Sequence, residues 1–217
     1  MPRLKPDTQR ARREHILDAA EVCFAHAGFH RTTMQDICRA AEVSPGALYV
    51  YFASKEDLIA GIAERDRNKL AGQLKEMADA PDLMVALEQL GDHYLTEEPH
   101  HKRVLFVEIG AESTRNDKVG ETFRSTDRFC RDSFVRLFDR ARAEGRIAPA
   151  VDSETIATVL ALIGDGLCWR RAVEPDFDPK PIMPVLSGLV SQLVNPVEPQ
   201  QANATAATPR ISETVRP

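Results

Sequence analysis

Apolar residues recur at three- and four-residue spacing along most of this chain, which is the period of amphipathic helices. Within residues 33–52 the pattern predicts a short helix capped by Thr33. A second helix begins after a brief turn, because Ser44 is a good N-cap and Pro45 loses no hydrogen bond at the first helical position. The apolar face of the first of these helices consists of Met34, Ile37, Cys38 and Ala41.

Two longer helices are predicted around this pair. One runs over about residues 8–27, where an apolar stripe is ended by Gly28. The other opens at Ser54, with Asp57 in the reciprocal position of a capping box, and continues towards Met77. The sequence thus predicts a three-helix N-terminal unit followed by a helix that leads away from it.

Five further helical patterns follow Pro81, and no convincing strand alternation accompanies them. The predicted fold class is therefore all-α, with nine helices. We expect one helical domain over residues 10–70 and a second helical domain over residues 71–195. Residues 196–217 are poor in large apolar side chains and are predicted to form a disordered tail.

Two helices joined by a short turn can place the second in the major groove of DNA while the first crosses the backbone. Small residues at the start of the second helix allow close approach, and tyrosine hydroxyls can meet phosphates. An ordinary helical hairpin with aromatic core residues would give a similar local pattern. The candidate DNA contacts are Thr33, Gln35, Ser44, Pro45, Gly46, Ala47, Tyr49, Val50, Tyr51 and Lys55.

The flanking sequence favours the DNA-binding interpretation. Residues 16–58 contain AA-x-x-x-F-x-x-x-G-F, T-T-x-x-x-I, V-S-x-G-A-L-Y and Y-F-x-S-K-E-x-L in order. In these motifs the chain resembles the DNA-binding domain of the tetracycline-repressor (TetR) family. The resemblance implies a transcriptional repressor that pairs through its last two helices and presents two reading helices to a palindromic operator.

Three positions depart from the family pattern. The family often has glycine where Glu42 stands, and a non-glycine residue in a left-handed turn costs on the order of 1 to 2 kcal/mol. It often has lysine in place of Pro45 and a polar or bulky residue in place of Val50. The last two changes affect base preference rather than the fold.

The charge of the chain is polarised. The net charge is −5, yet residues 1–80 contain 12 basic and 12 acidic side chains, so the rest of the chain carries the whole deficit. Basic side chains near the first helix are candidates for an arm along the phosphate backbone, or simply a solvated charged terminus. They are Arg3, Lys5, Arg10, Arg12 and Arg13.

Cysteine spacing and the chain start exclude several classes of protein. Cys23, Cys38, Cys130 and Cys168 have no C-x-x-C pair, so we expect reduced thiols, no metal site and no cofactor. The start MPRLKPDTQR lacks the apolar core of a signal peptide, and no apolar run reaches the length of a membrane span. We therefore expect a cytoplasmic protein without a membrane partner.

Polar and aromatic residues on apolar helical faces are candidates for an effector pocket. They are His93, Phe106, Glu108, Glu112, Phe123, Asp165 and Trp169. A buried carboxylate needs a partner, so pairing with an arginine or an amide is the alternative to ligand binding. If a ligand takes that role, acids beside aromatic rings suit a lipophilic cation.

The C-terminal half also weakly resembles choline-sensing repressors within the TetR family. The resemblance rests on the segments 165–167, 170–172 and 175–177. One tryptophan and three tyrosines are too few aromatic residues to assign a choline box.

The last two helices are apolar around most of their circumference and require a cover, for which a second copy is the common solution. The candidate dimer interface consists of Leu162, Ile182, Leu186, Leu189, Val190 and Leu193. The function expected from the whole sequence is that of a homodimeric repressor released from DNA by a small molecule. The domain over residues 10–70 would then bind DNA, and the domain over residues 71–195 would bind the ligand and form the dimer. The alternatives are an activator, a regulator without an effector, and a helical-bundle enzyme with a DNA-binding domain, although the sequence shows no nucleophile–base motif.

Overall fold

The computed structural model of the protein describes residues 6–197, and within that range it is built from helices, with a single isolated bridge between Ile147 and Pro196. The all-α prediction with nine α-helices is confirmed for the described residues. The helices are α1 (Pro6–Arg31), α2 (Met34–Ala40), α3 (Pro45–Tyr49), α4 (Lys55–Ala78), α5 (Leu83–Asp92), α6 (His100–Glu112), α7 (Asp117–Ala143), α8 (Ser153–Val173) and α9 (Met183–Val194).

The first helix is longer than predicted, because the chain bends at Gly28 instead of ending the helix there. Gly28 has φ 80° and ψ 162°, and one further helical turn follows it. A Cβ atom at this position would lie 3.0 Å from Oε1 of Glu108. Both the backbone conformation and the close approach of α6 therefore require glycine here.

The apolar stripes meet in two cores. The first contains the inward faces of α1 to α4, including Leu48, together with Phe52 from the turn between α3 and α4. Leu105 of α6 and Val119 of α7 also belong to it. The second core lies among α4, α5, α7, α8 and α9. The predicted domain boundary at residue 70 stays a prediction, since α4 runs through it without a break.

The helix caps differ in detail from the predicted ones. Thr33 and Asp36 form a complete capping box on α2, where the sequence predicted only the threonine cap. At α4 the hydroxyl of Ser54 accepts from the amide of Asp57 at 3.1 Å, but the Asp57 carboxylate accepts from the amide of Ala53. The reciprocal bond therefore falls one residue before the cap.

Short turns of other helical types adjoin two of the α-helices, α5 and α9. After α5 the chain continues as a π-helical turn, His93–Glu97. Arg171 of α8 donates to the carbonyls of Leu95 and Thr96, at 2.6 and 2.9 Å. A 3-10 turn, Lys180–Ile182, precedes α9.

Two predictions concern the chain termini. Arg3, Lys5 and most of the predicted tail lie outside the described residues. The first residues of that tail are described, and Val197 donates its amide to the carbonyl of Arg146 at 2.8 Å. None of the helices in residues 6–197 is both long enough and apolar enough to cross a membrane.

Candidate DNA-reading surface and internal cavity

The reading unit is α2, a short turn and α3. Glu42 in the turn has φ 49°, so this non-glycine residue adopts the left-handed conformation expected at its position. Ser44 caps α3 by accepting a hydrogen bond from the amide of Ala47 at 3.2 Å. Leu48 is buried and anchors α3 to α1 and α2, so the opposite side of α3 faces outward.

Most of the predicted DNA contacts lie on one outward surface. Tyr49 is 54% exposed and Val50 is 78% exposed, which is unusual for large apolar or aromatic side chains without a partner. Ala47 is half-buried in the first turn of α3. The other exposed members of this surface are Thr33, Gln35, Ser44, Pro45 and Gly46.

Tyr51 and Lys55 differ from this group. Tyr51 is half-buried and packs against the first core. The ammonium of Lys55 donates to the carbonyl of Phe29 and lies 4.3 Å from the centre of the Phe29 ring. Lys55 therefore stabilises the end of α1, which sequence spacing alone could not reveal, and its ammonium is not turned freely to solvent.

The basic side chains predicted to form an arm also differ in whether they are exposed or paired within the protein. Arg10 and Arg12 are exposed at the start of α1. The guanidinium of Arg13 instead lies 2.5 Å from a carboxylate oxygen of Glu64 and 5.5 Å from the centre of the Phe52 ring. Arg13 thus joins α1 to α4.

The body contains a cavity of about 1400 Å³ lined by residues of α4 to α9 and the π-helical turn, together with one residue of α1. Its walls are largely apolar, with charged side chains at several points. Among the residues predicted for an effector pocket, Phe106, Phe123 and Asp165 line this cavity. The two phenylalanine rings lie 6.1 Å apart, tilted by 43°.

The remaining pocket candidates lie elsewhere, which corrects the sequence interpretation. Glu108 accepts from the amide of Phe29 at 2.6 Å, and Glu112 lies 2.8 Å from Nε2 of His30. These two carboxylates therefore have structural partners, which was the alternative to ligand binding. Both lie on the side of α6 that contacts the end of α1, next to the side that lines the cavity.

Trp169 and His93 also lie outside the cavity lining. Trp169 is 56% exposed, because Cys168 rather than its neighbour points to the cavity at this turn of α8. His93 bonds through Nε2 to the ammonium of Lys69 at 2.8 Å, and its Nδ1 lies 3.5 Å from Glu97.

Among the charged residues of the cavity wall that the sequence interpretation missed are Glu21, Asp66, Glu98 and Lys102. They come from α1, α4, the residue after the π-helical turn and α6, so no local pattern connects all of them. The only local relation among these four is the i, i+4 spacing of Glu98 and Lys102. Burial raises the pKa of Glu98, although the Lys102 ammonium partly offsets this effect.

Asp165 is a carboxylate in the cavity wall. Its partial burial raises its pKa, and the nearby carboxylate of Asp127 raises it further. Among the described residues it has no ion pair or hydrogen bond. Burial also raises the pKa of Cys130 and of Cys168 to about 11, so both thiols in the cavity wall are protonated at neutral pH. The described residues contain no cluster suited to a metal ion.

The predicted dimer residues separate into two groups. Leu162 and Leu189 are 66% and 53% exposed, and Ile182 is also exposed. Leu186 and Val190 line the cavity instead. Leu193 packs against the second core. The exposed apolar side chains of α8 and α9, together with Ile182, are called the outer face below: Leu162, Trp169, Val173, Ile182, Val185 and Leu189.

A capped helix-turn-helix on a helical body with a large cavity defines a DNA-binding regulator, and comparison with known proteins agrees. The family model described as bacterial regulatory proteins, tetR family, matches residues 16–62. The model described as BetI-type transcriptional repressor, C-terminal, matches residues 85–195. The chain belongs to the TetR family of transcriptional regulators, and it is a DNA-binding transcriptional repressor rather than an enzyme.

Individual relatives cover most of the chain. The transcriptional regulator UidR of Escherichia coli strain K12 is 32% identical over 151 residues, which cover 68% of this chain and 75% of UidR. A transcriptional repressor of Mycobacterium tuberculosis is 29% identical over 189 residues, covering 81% and 90%. The solved structure of Salmonella enterica GusR has a TM-score of 0.73 at 32% identity and covers 88% of this chain and 97% of GusR.

Proposed function

We propose that this repressor is a homodimer that leaves its operator when a small lipophilic cation occupies the internal cavity. The observation that carries the effector class is Asp165, a carboxylate without an ion partner among the described residues, in a wall that also contains Phe106 and Phe123. The DNA-binding part of the proposal rests on the outward surface of α2 and α3.

A cation fits this cavity for two physical reasons. A carboxylate in an apolar wall is unfavourable until an opposite charge or a hydrogen-bond donor compensates it. Aromatic faces add an attraction of about 0.5 to 2 kcal/mol for a desolvated cation. The largely apolar remainder of the 1400 Å³ cavity would hold the lipophilic part of the same molecule.

The reading surface would meet DNA through the start of α2 and α3. Thr33, Gln35 and Tyr49 offer polar groups to phosphates or base edges, and Gly46 allows close approach of the α3 backbone. The exposed side chain of Val50 would contact a thymine methyl or the sugar edge. Tyr51 and Lys55 would act mainly by fixing the position of α3.

The outer face supports pairing of two copies. Exposed apolar side chains on two adjacent helices are unfavourable in water, and a second copy can cover them through the same face. A dimer would present two α3 helices to successive major grooves of a palindromic operator.

Release from DNA requires that the effector bind the DNA-free conformation more tightly than the DNA-bound one. Coupling of about 1 to 3 kcal/mol between two sites is typical. An effector that bound both conformations equally would leave operator affinity unchanged.

The DNA-binding part can be tested with a duplex selected from a random pool by the full-length protein. Binding should weaken steeply as salt rises, because several phosphates are contacted and counterions are released. Tyr49→Ala should weaken binding by roughly tenfold with an unchanged melting temperature. Salt-independent binding, or unchanged affinity of Tyr49→Ala, would contradict the proposed interface.

The effector class can be tested by thermal stabilisation with a panel of lipophilic ammonium compounds, each paired with a neutral compound of the same shape. A ligand that binds only the folded state raises the melting temperature. We expect ammonium compounds to stabilise the protein more than their neutral counterparts, and Asp165→Asn to remove the difference. Equal stabilisation by both members of each pair would exclude a cation-selective cavity.

A further inference from the structure

Glu21 is an unusual residue in the cavity wall because it belongs to α1 of the DNA-reading unit. It is only 2% exposed, and the cavity reaches it between α4 and α6. Arg65 of α4 is bonded directly to one of its carboxylate oxygens. A ligand in the body cavity can therefore act electrostatically on the DNA-binding domain without a long intervening path.

Lys102 of α6 is the second cation at this end of the cavity, and it is held loosely. Its Nζ lies 3.4 Å from Oε1 of Glu21 and 3.4 Å from Oδ1 of Asp66. Strong hydrogen bonds between an ammonium and a carboxylate are about 2.7 to 2.9 Å long. Arg65, by contrast, also donates to Asp18 at 2.7 Å and is fixed between α1 and α4.

The surroundings of Lys102 favour a positive charge even though the site is partly buried. Burial by itself would lower the pKa of Lys102, but Asp66, Glu21 and Glu98 together raise it. The carboxylates of Glu21, Asp66 and Glu98 form the acidic end of the cavity. They stabilise Lys102 as a charged ammonium, and the cationic group of another molecule could make the same contacts.

We propose that the ammonium of Lys102 is an internal competitor that occupies the acidic end of the cavity until a cationic effector takes its place. Displacement of Lys102 would break the ion pair that joins α6 to Glu21 of α1 while leaving Arg65 in position. The DNA-reading unit would then lose one of its links to the body. This inference rests on the proposed cationic effector and adds the residue through which that effector is sensed.

The proposal can be tested by chemical rescue with the full-length protein. Lys102→Ala removes the ammonium and leaves a space that propylammonium can fill. Operator affinity of Lys102→Ala should fall by about tenfold, within the usual range of coupling between sites. Propylammonium chloride should restore most of the melting temperature that Lys102→Ala loses, whereas 1-propanol and sodium chloride at equal concentration should not.

Lys69→Ala is the matched control variant. Lys69 also lines the cavity, but its ammonium is bonded to His93 at 2.8 Å and lies 5.5 Å from the centre of the Tyr94 ring. Propylammonium should have no larger effect on Lys69→Ala than on the wild type. Equal rescue of both variants, or rescue by 1-propanol, would overturn the proposal.

Two further measurements keep the test decisive. If Lys102→Ala does not fold, Lys102→Met keeps the apolar stem without the charge, and unchanged operator affinity of this variant would overturn the proposal. If no duplex is bound by any variant, the proposed repressor function fails. The melting temperatures with propylammonium then still decide whether the acidic end of the cavity accepts a free ammonium.

Discussion

Gly28 shows how a single position can serve both backbone geometry and packing. Its φ of 80° lies in the region that side chains other than glycine rarely adopt, and Glu108 occupies the space of a Cβ atom. We expect Gly28→Ala to lower the free energy of unfolding by about 1 to 3 kcal/mol, measured by urea denaturation.

Gly72→Ala provides the matched control for this prediction. Gly72 lies within α4, and an added Cβ would meet nothing within 4 Å. Alanine should stabilise the helix there by roughly 0.5 to 1 kcal/mol. Destabilisation of similar size in both variants would show that the special geometry of Gly28 is not the cause.

Asp36 makes a pH-dependent contribution to the reading unit. Its pKa is lowered first by the Thr33 hydroxyl and then by the Thr33 amide. Because the folded-state pKa lies below the unfolded value of about 3.9, the stabilisation is present above that value and is lost as pH falls through the folded-state pKa.

The corresponding measurement compares wild type with Asp36→Asn across acidic pH. The difference in unfolding free energy should be largest near neutral pH and should shrink as pH falls below about 4. If this difference in unfolding free energy stayed constant from neutral to acidic pH, the charged cap would not be its cause.

At the scale of elements, α6 combines two roles on adjacent sides of the helix. Phe106 and Ile109 line the cavity, whereas Glu108 and Glu112 hold the end of α1. A rotation or shift of α6 therefore changes the cavity wall and the contact with the reading unit together. Helix α4 runs from the reading unit into the body, and the contacts of α6 add a second connection between them.

The outer face of α8 and α9 gives a prediction about assembly. Leu189→Glu should raise the dimer dissociation constant by roughly 30-fold or more, because a charge would be placed in an apolar interface. Analytical ultracentrifugation over a concentration series can measure this change.

Val85→Glu is the control for the assembly prediction. Val85 is an exposed apolar residue of similar accessibility, but it belongs to α5. Its substitution should leave the dimer intact. If Leu189→Glu also remained fully dimeric, the interface would lie elsewhere than the outer face.

At the scale of the whole molecule, the reading unit and the body share apolar contacts. Leu105 and Val119 come from the body but are buried in the first core with α1 and α4. We therefore expect both parts to unfold in one transition, so that Trp169 fluorescence and hydrogen exchange of α2 amides give the same urea midpoint.

Leu105→Ala should separate these two midpoints. Removing the buried leucine costs about 2 to 5 kcal/mol and weakens the contact between the two parts. Separate midpoints already in the wild-type protein would mean that the shared core does not couple them.

The sequence by itself determined the helices, their caps and the reading unit, because these depend on residues a few positions apart. The amphipathic period located the helices of the body, and Ser44 with Pro45 marked the start of α3. The sequence also identified Phe106, Phe123 and Asp165 as pocket candidates, since polar or aromatic residues on an apolar helical face can be recognised from their spacing.

Only the tertiary structure decided which partner each side chain meets. Glu108 and Glu112 are spaced like pocket residues, but α1 supplies their partners. Glu21 and Lys102 are far apart in sequence and lie together only because α1 packs against α6. Helix periodicity defines the faces of a helix, whereas the packing of separate helices determines whether a face meets a core, a cavity or solvent.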